Sequence, residues 1–259
     1  SARYMALPPA DALCSWVGSG MDKWMDVFEE PYLAMMDKMS AAMGSQGVDM
    51  GSAIRQIMTD TKGLYAGDIA AAIVPDTDGK LGFVEFLAVT DPVKAKLAMD
   101  KMMSSSSNFA GASGLTVRVG EERSYKDVKV QACSYAVNAA SNAPPLAMSN
   151  FIGKMRWEIA YAGNHMVYAM RTSELMNSAI DRLSATDNVP VTSTRQFTSV
   201  FPPMKEPPSH VYTLSLVKLS KAGLALRPGA NAARLASIPD KTRGMAGYGV
   251  IKGDNMICI

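Results

Sequence analysis

The stretch Gly67–Met103, GDIAAAIVPDTDGKLGFVEFLAVTDPVKAKLAMDKMM, decides the fold. Two apolar runs of strand length, one through Ile69–Val74 and one through Leu81–Val89, flank the polar turn Asp76–Lys80. Asp91-Pro92 then starts a helix, because proline fits the first turn, where its missing N–H costs nothing. The stretch therefore reads as strand, turn, strand, helix. The same plan returns downstream. Met155, Trp157, Ile159 and Tyr161 alternate with Lys154, Arg156 and Glu158, Gly163-Asn164 makes a turn, and His165–Met170 is the return strand. A helix over Thr172–Leu183 follows, with Thr172 or Ser173 as cap and Met176, Ala179, Ile180 and Leu183 on one face. The expected fold class is α+β: antiparallel sheet with helices packed on one face, built from hairpin-plus-helix repeats.

Around these repeats the chain carries further elements. Residues 4–17 are apolar but broken by Pro8-Pro9, and Met21–Met43 reads as two helical pieces with Pro31 starting the second. A helix over Asp49–Asp60 leads into the first hairpin. Leu115, Val117 and Val119, then Val128, Val130 and Ala132, alternate as two strands on either side of a turn at Glu121–Ser124. Asn138–Pro145 is a small-residue linker, which sets expected domains at 1–137 and 146–259, with one continuous domain as the alternative. Phe197 and Phe201 anchor a short helix in a Pro-, Ser- and Thr-rich stretch, Val211–Leu219 reads as a strand, and Ala246–Ile259 ends the chain as strands turned at Gly253-Asp254.

With 259 residues, 48% apolar and 19% charged, the chain is globular and has a sizeable core. No apolar run approaches the roughly 20 residues that span a bilayer. The net charge of +2 hides a gradient: −6 over residues 1–100, +3 over 101–200 and +5 over 201–259. Such a chain pairs its ends internally or associates head to tail. No run of Lys and Arg with interleaved aromatics accompanies the basic end, so nucleic acid is not an expected partner. Cys14, Cys133 and Cys258 are far apart, with no CxxC spacing; they read as buried small hydrophobes, with one disulfide plus a spare thiol as the alternative.

The order of short motifs also carries a resemblance. Leu7-Pro8-Pro9-Ala10-Asp11, Gly67-Asp68-Ile69-Ala70-Ala71-Ala72, Val89-Thr90-Asp91-Pro92, Tyr125-Lys126-Asp127-Val128, Gly163-Asn164-His165 before Ser173-Glu174, and Phe197 with Phe201-Pro202 follow one another in this chain. In this it resembles a family of secreted bacterial proteins known only as a domain of unknown function. The resemblance implies export across the cytoplasmic membrane, as a mature form at the cell envelope or periplasm, and supplies no catalytic residues.

Three chemistries have residues that could carry them. Asp76, Asp78 and Glu85 fit later positions of a calcium loop, with Gly79 at the sharp turn, but Val74 occupies the first ligand position and the flanks read as strands instead of helices. A hairpin turn explains Asp78-Gly79 without metal. His165 and His210 have no sequence context that brings a serine or cysteine to them, and no GxSxG elbow exists. Asp22, Asp26, Glu29 and Glu30 share helix faces, the pattern of a solvated surface. The expectation is a non-enzymatic, exported binding or assembly module with no cofactor, whose partner is another protein or a second copy. A hydrolase with a site between the two halves and a calcium-stabilised adhesin-like module are the alternatives.

Overall fold

The computed structural model describes residues 3–20, 50–75, 81–113, 115–137, 155–201, 208–225, 245–252 and 255–258, with eight further positions between 22 and 38. Most of the expected helices over Met21–Met43, the linker at 138–145 and the turns at 76–80 and 253–254 lie outside the described residues. The elements are β1 (Cys14–Gly18), α1 (Met50–Thr61), β2 (Tyr65–Pro75), β3 (Leu81–Val89), α2 (Pro92–Ser113), β4 (Leu115–Tyr125), β5 (Val128–Val137), β6 (Arg156–Ala162), β7 (His165–Met170), α3 (Ser173–Ser184), α4 (Arg195–Thr198), β8 (His210–Leu214), α5 (Leu216–Ala225), β9 (Met245–Lys252) and β10 (Asn255–Cys258). The α+β class and the repeated hairpin-plus-helix plan are both present.

The chain forms two compact units that interleave in sequence: unit 1 is 1–20, 67–87 and 172–259, and unit 2 is 21–66 and 88–171. The composition break at 138–145 falls inside unit 2. Each hairpin and the helix that follows it belong to different units. The β2–β3 hairpin counts in unit 1 and α2 in unit 2, whereas β6–β7 count in unit 2 and α3 in unit 1.

In unit 1 the strand order is β10-β9-β8-β1-β2-β3. The central strand β1 was not legible in the sequence. It is only five residues long and has sheet neighbours on both sides, Val17 opposing Ala70 of β2 and Val211 of β8. These three side chains are fully buried on one face. Short helical segments cover it: the 3-10 turn Tyr4–Ala6 lies on β1, the 3-10 turn Val191–Ser193 on β8, and α4 on β8 and β9. Phe197 of α4 is fully buried and stacks on Phe201 at 5.1 Å, which meets Tyr248 of β9 edge-on at 5.1 Å. Helix α3 is capped by the Thr172 hydroxyl, which accepts from the Leu175 N–H, and buries the four residues expected from its periodicity.

The strand expected over Val211–Leu219 is corrected. β8 ends at Leu214, and Leu216 opens helix α5, whose start is marked by the Ser215 hydroxyl accepting from the Lys218 N–H at 3.4 Å. Across β8 and β9 the outer end of the Tyr212 ring lies over its cross-strand partner Gly247, where a Cβ would collide with it. A Gly247→Val protein is expected to unfold at a lower temperature than wild type, with the loss largely recovered by adding Tyr212→Ala, as read by thermal melts. Equal loss in the two proteins would remove the ring contact as the cause.

Unit 2 carries the order β7-β6-β5-β4. Its helix α2 begins as the sequence indicates: one Asp91 carboxylate oxygen accepts from the N–H groups of Val93 (3.1 Å) and Lys94 (3.0 Å), which holds the Asp91 pKa below its ordinary value. α2 packs on β4, β6 and β7, and Lys101 reaches Asp60 of α1 at 2.6 Å. The β4–β5 turn is also corrected. It lies at Lys126-Asp127, both with positive φ (47° and 64°), as a two-residue hairpin requires. The Glu121–Ser124 stretch expected to turn instead continues the strand, entered through a bulge between Val119 and Glu122, with the Gln131 side chain donating to the Gly120 carbonyl at 2.8 Å.

Candidate functional site

The bulge sets up the site, because one extra residue in β4 shifts which face each later side chain takes. Glu122 opposes Gln131 and turns to the α2 face, where it pairs with Lys129 at 2.9 Å. Arg123 opposes Val130 and turns to the other face, where its fork meets both oxygens of the buried Glu158 at 3.0 and 2.7 Å. Each of the two charges finds an opposite partner because of the bulge.

On the α2 face, the helix and the sheet leave an open cleft of about 510 Å³ within unit 2. One helical stripe forms its wall: Val93, Lys96, Met99, Asp100 and Met103, at three- and four-residue spacing. Val128, Ile159 and Tyr161 from β5 and β6 form the floor. Four of the charged groups around it are paired with one another. Lys96 pairs with Asp100 at 2.8 Å and Lys129 with Glu122, whose hydrogen bond raises the lysine pKa. The Tyr161 hydroxyl donates to the Ala95 carbonyl at 3.4 Å, and burial raises its pKa, so it stays a fixed donor. Beneath the wall the Cys133 thiol touches the Met103 sulfur at 3.7 Å; burial pushes its pKa up to about 11, so it is a thiol, not a nucleophile, at neutral pH. Val93 and Leu97, 68% and 63% exposed, carry apolar surface onward past the rim.

Asp76 and Asp78 are outside the described residues. Glu85 sits on β3 in unit 1, and burial raises its pKa above the ordinary 4.5. A raised carboxyl pKa means the fold prefers the protonated form. Its contribution is therefore fullest below pH 4.5 and is lost as pH rises through the folded pKa. Glu85→Gln is expected to raise the urea midpoint at pH 7 and leave it unchanged at pH 4; an equal shift at both pH values would contradict this assignment. Among the described residues no three His, Cys, Asp or Glu side chains gather to hold a metal ion.

His165 is buried in unit 2, with Nδ1 at 3.3 Å from the Ala162 carbonyl. His210 is in unit 1, its ring over Gly18, its pKa lowered by burial and its Nδ1 without a hydrogen-bond partner among the described residues. Cys133 is a free buried thiol, as a buried hydrophobe would be, and Cys14 is free and half-buried. The cleft itself was not legible in the sequence, although the Val93, Lys96, Met99, Met103 stripe was its one local signal. Among the described residues no helix is long and apolar enough to cross a membrane. No family model, curated protein or solved structure matches this chain.

Proposed function

We propose that this chain is a non-enzymatic, exported binding module of the bacterial cell envelope, and that the α2 cleft of unit 2 seats an apolar peptide segment of a protein partner. The observation that carries the reading is the state of the cleft's polar groups. Its two lysines are each paired with a carboxylate, its tyrosine hydroxyl is bound to a backbone carbonyl, and the thiol beneath its wall is buried and protonated. Methionine, valine and isoleucine remain as contact surface, and methionine adapts its shape to different apolar side chains. The volume suits a few side chains, and the apolar surface continuing over Val93 and Leu97 suits an extended or helical segment better than an enclosed small molecule. Export rests on the resemblance of the quoted motifs.

The test is selection from a random displayed-peptide library on the whole chain, with Met99→Glu as the counter-target. Peptides rich in apolar residues that bind wild type and lose at least about tenfold in affinity on Met99→Glu support the reading. A selection yielding no binders, or only binders indifferent to Met99→Glu, overturns it.

A further inference from the structure

The opposite face of the unit 2 sheet carries a second arrangement, set by register. Arg118 of β4 lies directly opposite Ser134 of β5, and Ser134 directly opposite Arg156 of β6. Directly opposed residues of antiparallel strands project to the same face, so two arginines flank one hydroxyl across three neighbouring strands. Arg171 continues the row, its N–H donating to the Arg156 carbonyl at 2.9 Å. Arg118 and Arg156 are exposed and have no ion partner among the described residues, and Ser134 is half-buried between them. The carboxylate nearest in register on this face, Glu158, has both oxygens engaged by Arg123.

Like charges aligned across a sheet destabilise it slightly. An anion placed over Arg118 and Arg156 would relieve the repulsion between them. The backbones of Arg118 and Arg156 are two strand spacings apart, about 10 Å, within reach of two long side chains converging on one group above Ser134. We propose that Arg118 and Arg156, with the Ser134 hydroxyl between them, bind the phosphate group of an anionic ligand. Each planar guanidinium offers two parallel N–H donors to a pair of phosphate oxygens, and the hydroxyl donates a further bond. The site is on the face away from the cleft and does not depend on the cleft's role.

The test uses the whole chain with ¹⁵N-labelled arginine. Titrating inorganic phosphate is expected to shift the Arg118 and Arg156 Nε–H signals saturably, whereas sodium chloride at equal ionic strength does not. Arg118→Gln/Arg156→Gln, a pair of exposed substitutions, should weaken the phosphate response of the Ser134 amide by at least about tenfold. Two further arms locate the phosphate's source. Sedimentation with phosphatidylglycerol vesicles but not phosphatidylcholine vesicles, lost in the double variant, assigns it to a lipid headgroup; saturation by glycerol phosphate without vesicle binding assigns it to a soluble ester. Shifts that chloride reproduces, or that persist in the double variant, overturn the proposal.

Discussion

Glu158→Ala is expected to lower the stability of the chain by about 3 kcal/mol, read as the change in urea unfolding free energy. Glu158 is 9% exposed and accepts two donors of the Arg123 fork, so its removal takes away the carboxylate that holds this part-buried guanidinium by both bonds. The figure sits at the low end for breaking a buried pair because the Arg123 side chain keeps 30% of its surface in water. The pair as a whole is worth much less than this cost, since ionising both groups away from water is itself unfavourable. Arg123→Met/Glu158→Leu should therefore recover most of the loss. A double variant as unstable as Glu158→Ala alone would show that the damage came from lost packing instead of the stranded charge.

Arg182→Met is expected to cost a similar amount, about 3 kcal/mol, through a different mechanism. Arg182 stands in the last turn of α3, where a cation ordinarily faces the C-terminal end of the helix dipole. In the structure its guanidinium instead donates to three consecutive backbone carbonyls, those of Ala6, Leu7 and Pro8, and so ties α3 to the N-terminal segment within unit 1. Pro8 and Pro9 break the segment's own backbone pairing, and these carbonyls depend on side-chain donors. Methionine keeps the apolar stem and removes every donor. Arg182→Lys should recover only part of the loss, because one ammonium cannot reproduce a planar fork. Faster amide exchange at Ala6 and Leu7 in Arg182→Met would tie the loss to this contact; a urea midpoint within error of wild type would contradict it.

Elements whose pattern is local were legible in the sequence. The two hairpins, the Asp91 and Thr172 caps and the buried face of α3 follow from alternation, helical periodicity and cap chemistry, none of which needs a partner from elsewhere in the chain. The misread elements depend on distant neighbours. β1 is a strand because β2 and β8 flank it, and its five residues, CSWVG, are too short a run to show a strand's alternation. GEERS, from Gly120 to Ser124, has turn composition but sits in a ladder beside β5, where it makes a bulge. Val211–Leu219 is one apolar run, and only the Ser215 cap divides strand from helix. The cleft combines a helix stripe with strands that come later in the chain, so only half of it is written in any one stretch. The arginine row requires three strands in register, and no spacing along the sequence reveals it.

The methionines that line the cleft allow a direct measurement. With ¹³C-methyl methionine in the whole chain, adding a peptide selected on wild type should shift the Met99 and Met103 methyl signals, while those of Met5 and Met176, buried in unit 1, stay in place. Saturable binding that leaves Met99 and Met103 unmoved would contradict the cleft as the ligand seat.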